Sequence, residues 1–465
     1  MIERNTNPRV AVIGGGISGL AAAHRLSNLG LAVTLVEKSE QLGGKVVTER
    51  VDGFVIEGGP DSFVAAKRTV IELATELGIA DRIISSRPEH PGSYVWSRGR
   101  IHRLPAGLLL MAPSRLGPLF ASSLLSWRGK VRAAAELLIP RRQPDGDESL
   151  ESFVVRRLGR EVLDRIAEPL IAGIHAAEPA SMSLEASFPR FLEMERDHRS
   201  LILAARALSK KADTSVSHFA SFRRGMGELT TALIGSLHRI DQRLRVTVDR
   251  ISKRSPELLL DLSDGTQLEA QGIVLATPAR DAAALLGEIA PNAREAIAGI
   301  RQVSTTAVTL AYRSEEIPVL KGSGFVVPAA EGRRLMGVSY LSQKWDGRVP
   351  SEQFVLLRAF LRRDATNGEE PTTVARDELA DSVGIRAQPV LEKIHHWEGG
   401  LHQYALGHRD RVARAEDGLR KFPGIVLAGA AFYGIGLNEC IASGQRAADR
   451  IAETVRTPAR TMVGH

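Results

Sequence analysis

The sequence predicts an α/β protein: a parallel-sheet domain assembled from separate stretches of chain, joined to a mixed-sheet domain and interrupted by a helical insertion. Three observations lead there. A buried-type strand, Val10 to Ile13, runs into a glycine turn, a helix with Leu20, Ala23, His24 and Leu26 at helical spacing, and a strand Val33–Val36 ending at Glu37. Residues 86–214 are rich in Leu, Ala and Arg with few β-branched runs, which favours helix. From 215 onward short apolar strands return, densest over 302–360. At 465 residues the chain also exceeds one ordinary core.

Along the chain, the first helix is expected from Ile17 to Leu29 and a second from about Ala66 to Leu77. The polar Asp145-Gly146-Asp147 turn, with Leu150, Phe153, Val154 and Leu158 after it, signals a helix start near Asp147. Strands are expected at Leu244–Val248, Leu258–Leu262, Ile273–Ala276, Val303–Tyr312, Gly324–Val327, Leu335–Val338, Phe354–Phe360 and Ile425–Ala428, with a closing helix from about Glu439 to Val455. The aperiodic end, 457–465, reads as a disordered tail. The parallel-sheet domain then comprises 1–85, 215–280 and 386–456; 86–214 is mainly helical, and 281–385 is strand-rich.

Composition narrows the function. With 61 basic against 54 acidic residues, the net charge of +7 favours an anionic substrate, a phosphate-bearing cofactor or an acidic membrane surface. Aromatics are 5% and are not interleaved with a basic stripe, so no nucleic-acid partner is expected. Cys440 is the single cysteine, which excludes internal disulfides and thiolate metal clusters and suits a reducing cytoplasm. No metal site is expected. The polar start, 1–8, runs straight into a strand, so no secretory signal is expected. The most apolar stretch, Leu104 to Trp127, is broken by Pro105, Pro113, Arg115 and Pro118, so it does not read as a spanning helix. It is expected to wall a hydrophobic pocket or rest against one face of a bilayer.

The glycine turn carries chemistry. Gly14-Gly15-Gly16-Ile17-Ser18-Gly19 is a G-x-G-x-x-G sequence between strand and helix. Gly14 allows the tight turn, Gly16 lets backbone approach a pyrophosphate, and Gly19 lets helix and strand pack closely. The helix N-terminus offers unpaired N–H groups and positive dipole to phosphate. Glu37, with Lys38 beside it, stands where a carboxylate accepts hydrogen bonds from a ribose diol. This is a Rossmann-like dinucleotide site. A single phosphate cradle suffices for NAD, but here Gly43-Gly44-Lys45 and Gly58-Gly59-Pro60-Asp61 follow the first unit. A late glycine turn, Gly429 with Gly434 and Gly436-Leu437, then opens the closing helix. Contacts from both ends of the chain suit a long, permanently held FAD, with Val248 placed to meet the adenine.

Several phrases together resemble the oxygen-dependent protoporphyrinogen/coproporphyrinogen oxidases of the amine-oxidase-like flavoprotein superfamily. They are Glu57-Gly-Gly-Pro-Asp61-Ser-Phe63 with Lys67, Glu168-Pro-Leu-Ile-Ala-Gly173-Ile-His175-Ala, Ser187-Phe-Pro-Arg-Phe191, and Phe222-Arg-Arg-Gly-Met-Gly227. Near the end come His396-Trp397, Gln403-Tyr404-Ala-Leu-Gly-His408, and Gly436-Leu-Asn438-Glu-Cys440. The resemblance covers essentially the whole chain. It implies six-electron oxidation of a porphyrinogen to a porphyrin in haem biosynthesis, in two-electron steps, with O₂ reoxidising the flavin and H₂O₂ released. The flavin carries that chemistry, so no catalytic side chain is nominated.

The plant and animal protoporphyrinogen enzymes place an Arg where Ser93 stands here, taking the turn Gly99-Arg100-Ile101 as the guide. That departure, with Asp61 to Lys67, resembles the Gram-positive coproporphyrinogen III type more closely. Protoporphyrinogen IX is the alternative substrate, and an amine oxidase or carotenoid-desaturase-like enzyme the alternative within the same flavin frame. A flavoprotein without catalysis is the bland alternative. Lys67, Gly173 and His175 are the candidate substrate residues, each with a structural reading beside it. Cys440 at a helix start could have a lowered pKa, though a small buried residue is the simpler reading. The resemblance also implies a ferrochelatase as a candidate partner and peripheral contact with the inner face of the cell membrane.

Overall fold

The computed structural model describes residues 8–89, 92–109, 111–142, 146–211, 218–254 and 257–456, with backbone alone at 172–175 and 211. The run Val10-Ala11-Val12-Ile13 has apolar side chains on both faces, so it can only be a central strand. Arg9–Ile13 lies at the middle of a five-stranded parallel sheet, in the order Asp241–Leu244, Ala32–Glu37, Arg9–Ile13, Gly272–Leu275, Ile425–Leu427. Val10 pairs with Val33 on one side and Gly272 on the other. Because side chains alternate across a strand, Val10 and Val12 join one core with Leu20, Leu26, Ile441 and Ile451 of two helices. Ala11 and Ile13 face a second core. Its other walls are the antiparallel meander Val248–Arg254, Glu257–Leu262, Gln267–Ala270 and the helices Ala279–Leu285 and Pro291–Ala298.

The first helix, Ile17–Asn28, and the closing helix, Leu437–Arg456, lie side by side over the sheet. Gly444 makes that approach possible, since a Cβ there would overlap the Ser18 carbonyl oxygen.

A seven-stranded sheet forms the second layer, in the order Leu391–His402, Gln302–Arg313, Phe354–Leu361, Leu335–Tyr340, Gly324–Val326, Tyr94–Ser97, Arg100–Arg103. Neighbours are antiparallel except Tyr94–Ser97 beside Gly324–Val326. The hairpin Tyr94–Arg103 turns through Arg98 and Gly99, with φ of 53° and 74°, the twist that suits a two-residue loop. It lies within the stretch read as mainly helical, and Leu391–His402 lies within the stretch given to the parallel-sheet domain. Both nevertheless pair into the seven-stranded sheet, because edge pairing is set by partners far away in sequence.

The insertion packs short helices around Leu119, Phe153, Leu163, Phe191 and Leu201. The fully buried Arg157 pairs with Glu136, and Arg156 bridges Glu148 and Glu195 at 2.9 and 2.7 Å. A π-turn at Leu163–Ala167 precedes Pro169, which lacks the N–H that an α-helical ladder needs. The Leu104–Trp127 stretch is divided: Met111, Leu119, Leu124 and Leu125 are core, while Trp127 is exposed. Among the described residues no helix is long and apolar enough to cross a membrane.

Several expected boundaries move for identifiable reasons. The strand read as Leu244–Val248 is two: Arg245 has φ of 59°, which ends Asp241–Leu244, and Val248 begins the next strand rather than closing the former. The second helix starts at Thr69, because Val64 to Lys67 is a turn and the Asn438 side chain accepts the Val70 N–H at 3.1 Å. Ser149, not Asp147, caps the helix Leu150–Arg157, its hydroxyl accepting the Ser152 N–H. The closing helix begins at Leu437. The tail, 457–465, lies outside the described residues.

Candidate cofactor site

Four glycine-bearing segments meet at the start of the two long helices. Gly14 has φ of 102° and donates its N–H to Val36. A Cβ on Gly19 would overlap the Gly14 carbonyl oxygen, so only glycine lets this helix reach the turn. The loop at Gly43 docks on the turn through Gly43 N–H to Gly15 O at 2.8 Å, and a Cβ on Gly44 would come within 2.9 Å of the Gly16 Cα. At Gly16 itself a Cβ would meet nothing within 4 Å, so the turn faces open space. Ile17 and Ser18 are buried in the first helical turn.

Glu37 is oriented by backbone. Its carboxylate accepts the Gly15 N–H at 2.6 Å and the Ser39 N–H at 2.8 Å, which leaves lone pairs on both oxygens for a diol. Lys38 points away and reaches Asp281 at 3.4 Å. Val248 lies beyond Glu37, two residues after Val246, whose N–H bonds the Glu37 carbonyl.

Gly58 and Gly59 stand back to back with Lys45: a Cβ on Gly59 would overlap the Lys45 carbonyl, and one on Gly58 would strike the His395 ring at 2.7 Å. Trp397 Nε1 and Arg358 Nη2 donate to the Gly58 carbonyl at 2.8 and 3.1 Å. Pro60 then leads to Asp61, whose carboxylate takes Lys344 at 2.8 Å, Trp345 Nε1 and the Ser62 hydroxyl. Burial alone would raise its pKa, but Lys344, Ser62 and Arg358 hold Asp61 well below the usual carboxylate range. Lys45 donates to the Gly400 carbonyl, and burial lowers its pKa.

The late turn completes the cradle. Gly429, with φ of 105°, donates to the Ser443 hydroxyl, and Gly434, with φ of 117°, donates to the Tyr404 hydroxyl at 2.6 Å. Gly436 precedes Leu437, the first residue of the closing helix. Glu439 folds back over Gly434 and Gly436 and pairs with Lys67. Lys67 is thus in a turn, exposed and already partnered. Burial pushes the Cys440 thiol up to about 11, so this cysteine behaves as a small buried residue and not as a thiolate.

The sequence-predicted residues are therefore brought together at Gly14 to Gly19, Glu37, Gly43 to Lys45, Gly58 to Pro60 and Gly429 to Leu437. Lys38 stands outside this group, and Asp61 turns its carboxylate toward the seven-stranded sheet. Gly173 and His175 lie on the helix Glu168–His175, not on a turn; their side chains lie outside the described residues. That helix is anchored by Glu168, which accepts the Ala329 N–H and lies 3.7 Å from Arg362.

An extended dinucleotide fits these residues. Beyond the cradle, the Thr277 hydroxyl is buried without a hydrogen-bond partner, and its methyl lies 3.4 Å from the Cβ position of Gly14. A buried hydroxyl beside the turn with no partner among the described residues needs one from elsewhere. Among the described residues no three His, Cys, Asp or Glu side chains converge to hold a metal. Sequence reasoning missed Arg358, Thr277 and Lys344. Arg358 had a signal: it is the one charge within the apolar strand Phe354–Leu361.

The profile of the flavin-containing amine oxidoreductase family matches residues 17–452. A coproporphyrinogen III oxidase of Propionibacterium freudenreichii is 34% identical, over 96% of this chain and 90% of its own. That of Bacillus subtilis strain 168 is 30% identical over 94% and 96%, and a protoporphyrinogen oxidase of Bos taurus 32% over 96% and 98%. A crystal structure from Exiguobacterium sp. 255-15, described as a candidate protoporphyrinogen oxidase, superposes with a TM-score of 0.86 at 30% identity, covering 96% of this chain and 99% of that one.

Proposed function

The chain belongs to the flavin-containing amine oxidoreductases and, within them, to the porphyrinogen oxidases, and from that premise we propose that it oxidises coproporphyrinogen III to coproporphyrin III with O₂ as acceptor. The observation that carries the reading is the cradle closed from both ends of the chain, Gly14 to Gly19 against Gly429 to Leu437, within a full-length likeness to coproporphyrinogen III oxidases. Bound FAD supplies two-electron acceptance from a C–H bond and reoxidation by O₂ with release of H₂O₂, repeated until six electrons have left the macrocycle.

The chain's own part is to bind and orient. Glu37 holds the ribose. The helix starts at Ile17 and Leu437 present N–H groups and positive dipole to the cofactor's anionic parts. Lys67, at the mouth of the late turn, is the cation for a substrate carboxylate and exchanges Glu439 for it. Ser93, just before Tyr94–Ser97, supplies no guanidinium, so the site lacks the bidentate clamp that two fixed propionates would favour. Gly173 and His175, on the helix Glu168–His175, are the further candidate substrate residues. Trp127, exposed on a helix that also carries Arg128 and Lys130, supports peripheral contact with an acidic membrane face, with the protein on the cytoplasmic side. A ferrochelatase is the partner suited to receive a product that must next be metallated.

The test is the FAD-loaded protein given coproporphyrinogen III or protoporphyrinogen IX in air. Red porphyrin fluorescence and peroxide should appear faster with the first. A faster second substrate makes the enzyme a protoporphyrinogen oxidase, and no fluorescence from either overturns the reading.

A further inference from the structure

His402 ends the long strand Leu391–His402, is 5% exposed, and has one ring nitrogen with no partner. Its Nε2 lies 3.4 Å from the Ala279 N–H and 3.0 Å from the Gln302 side-chain amide nitrogen. A backbone N–H can only donate, so Nε2 is the acceptor nitrogen of the ring. Burial, with Lys45 and His408 adding to it, lowers the His402 pKa to about 3, and the ring is neutral at physiological pH. Its single proton therefore sits on Nδ1.

That leaves a buried donor with no acceptor among the described residues, an arrangement that is costly unless something accepts the bond. Its surroundings say what. Lys45 donates to the Gly400 carbonyl, which ties the end of the His402 strand to the glycine loop docked on the first turn. Ala279, which donates to His402, is two residues from Thr277, whose methyl packs on the Gly14 turn and whose hydroxyl is likewise buried with no partner among the described residues. The segment Thr277 to Ala279 thus links two orphaned groups, its own Thr277 hydroxyl and the His402 ring bonded to Ala279, beside the Gly14 turn. We infer that the His402 Nδ1–H is a cofactor-binding donor, reserved for an acceptor atom of bound FAD. Gln302 and Ala279 fix the tautomer that makes it a donor. The inference rests on FAD binding and is independent of which porphyrinogen is oxidised, so failure of the substrate reading leaves it standing.

The experiment measures FAD affinity of His402→Leu and His402→Asn against the parent, by fluorescence titration of apoprotein, with flavin absorbance spectra of the loaded forms. His402→Leu should raise Kd about tenfold, the worth of one buried hydrogen bond, and shift the visible flavin bands. His402→Asn, which keeps a donor near the Nδ1 position, should restore most of both. A leucine variant with parental Kd and spectrum overturns the assignment. Should the leucine variant not fold, ¹⁵N-histidine spectra of the parent decide. A His402 Nδ1–H resonance that moves on adding FAD supports the inference; one that does not move, or a proton found on Nε2, overturns it.

Discussion

Gly19 stands directly under Gly14, so close that the Gly14 carbonyl oxygen occupies the place a Gly19 side chain would need. The two glycines therefore set how near the first helix comes to the turn, and with it the aim of the helix N-terminus. Gly19→Ala should push the helix outward by the width of a methyl group, at about 1–3 kcal/mol of stability. FAD retention, read as the ratio of visible to ultraviolet absorbance after gel filtration, should fall to a small fraction of the parent's. Full retention would mean the turn does not hold the cofactor.

Glu37 is held by the Gly15 and Ser39 N–H groups. Glu37→Ala removes the ribose acceptor and also leaves two N–H groups without it, so FAD affinity should fall about tenfold or more. Glu37→Gln keeps one acceptor oxygen and should lose less. Equal affinity in all three proteins would refute the ribose role.

These residues were legible because their constraint is local. A strand, a glycine turn, a helix and an acidic strand end are contiguous, and each glycine meets its neighbour within a few residues. Where distant chain decides, the sequence is mute. The left-handed Arg245 breaks a run that looks like one strand. His402 becomes a donor only through Ala279 and Gln302, 123 and 100 residues away. Lys67 reads as a free cation until Glu439, 372 residues on, closes over it. The lone Arg358 in an apolar strand was visible, but not its role of holding the Gly58 and Gly59 carbonyls.

The Lys67–Glu439 pair bears on substrate choice. Lys67→Ala should raise KM for coproporphyrinogen III roughly threefold to fivefold, the scale of a partly exposed ion pair. The change for protoporphyrinogen IX should be smaller, and kcat should move little. Glu439→Gln should lower KM for the same substrate by freeing the cation. Equal changes for both porphyrinogens would remove Lys67 from the substrate site.

Glu57 and Arg348 are both fully buried, 3.5 Å apart, beneath the Gly58 to Asp61 segment. Burial raises the Glu57 pKa against the opposing pull of Arg348. Arg348→Met leaves that carboxyl unpaired and should cost about 3–5 kcal/mol in denaturant unfolding. Adding Glu57→Gln to Arg348→Met should recover part of the loss. A double variant no more stable than the single one would show that the two groups act separately.

Acid should unfold this protein from a higher pH than its carboxylates alone require. Burial lowers His402 to about 3 and His408 to about 4, the latter stacked on Tyr404 with ring centroids 3.8 Å apart. Both folded pKa values lie below the ordinary histidine value of about 6.5. Between those values and 6.5 the unfolded chain binds more protons than the folded one, so stability rises with pH. It is complete above about 6.5 and is lost on acidification, at about 1.4 kcal/mol per pH unit for each histidine, down to pH 4 for His408 and pH 3 for His402. Asp61, whose pKa is also held low, adds its share only below the usual carboxylate range. Urea unfolding of FAD-saturated protein from pH 7 to 4 should therefore show stability level down to about pH 6.5 and falling below it. His408→Phe, which keeps the ring stack on Tyr404, should make that slope shallower, with His402, His102 and His395, all held below the ordinary value, still contributing; parallel curves for the two proteins would show that His408 is not held neutral by the fold.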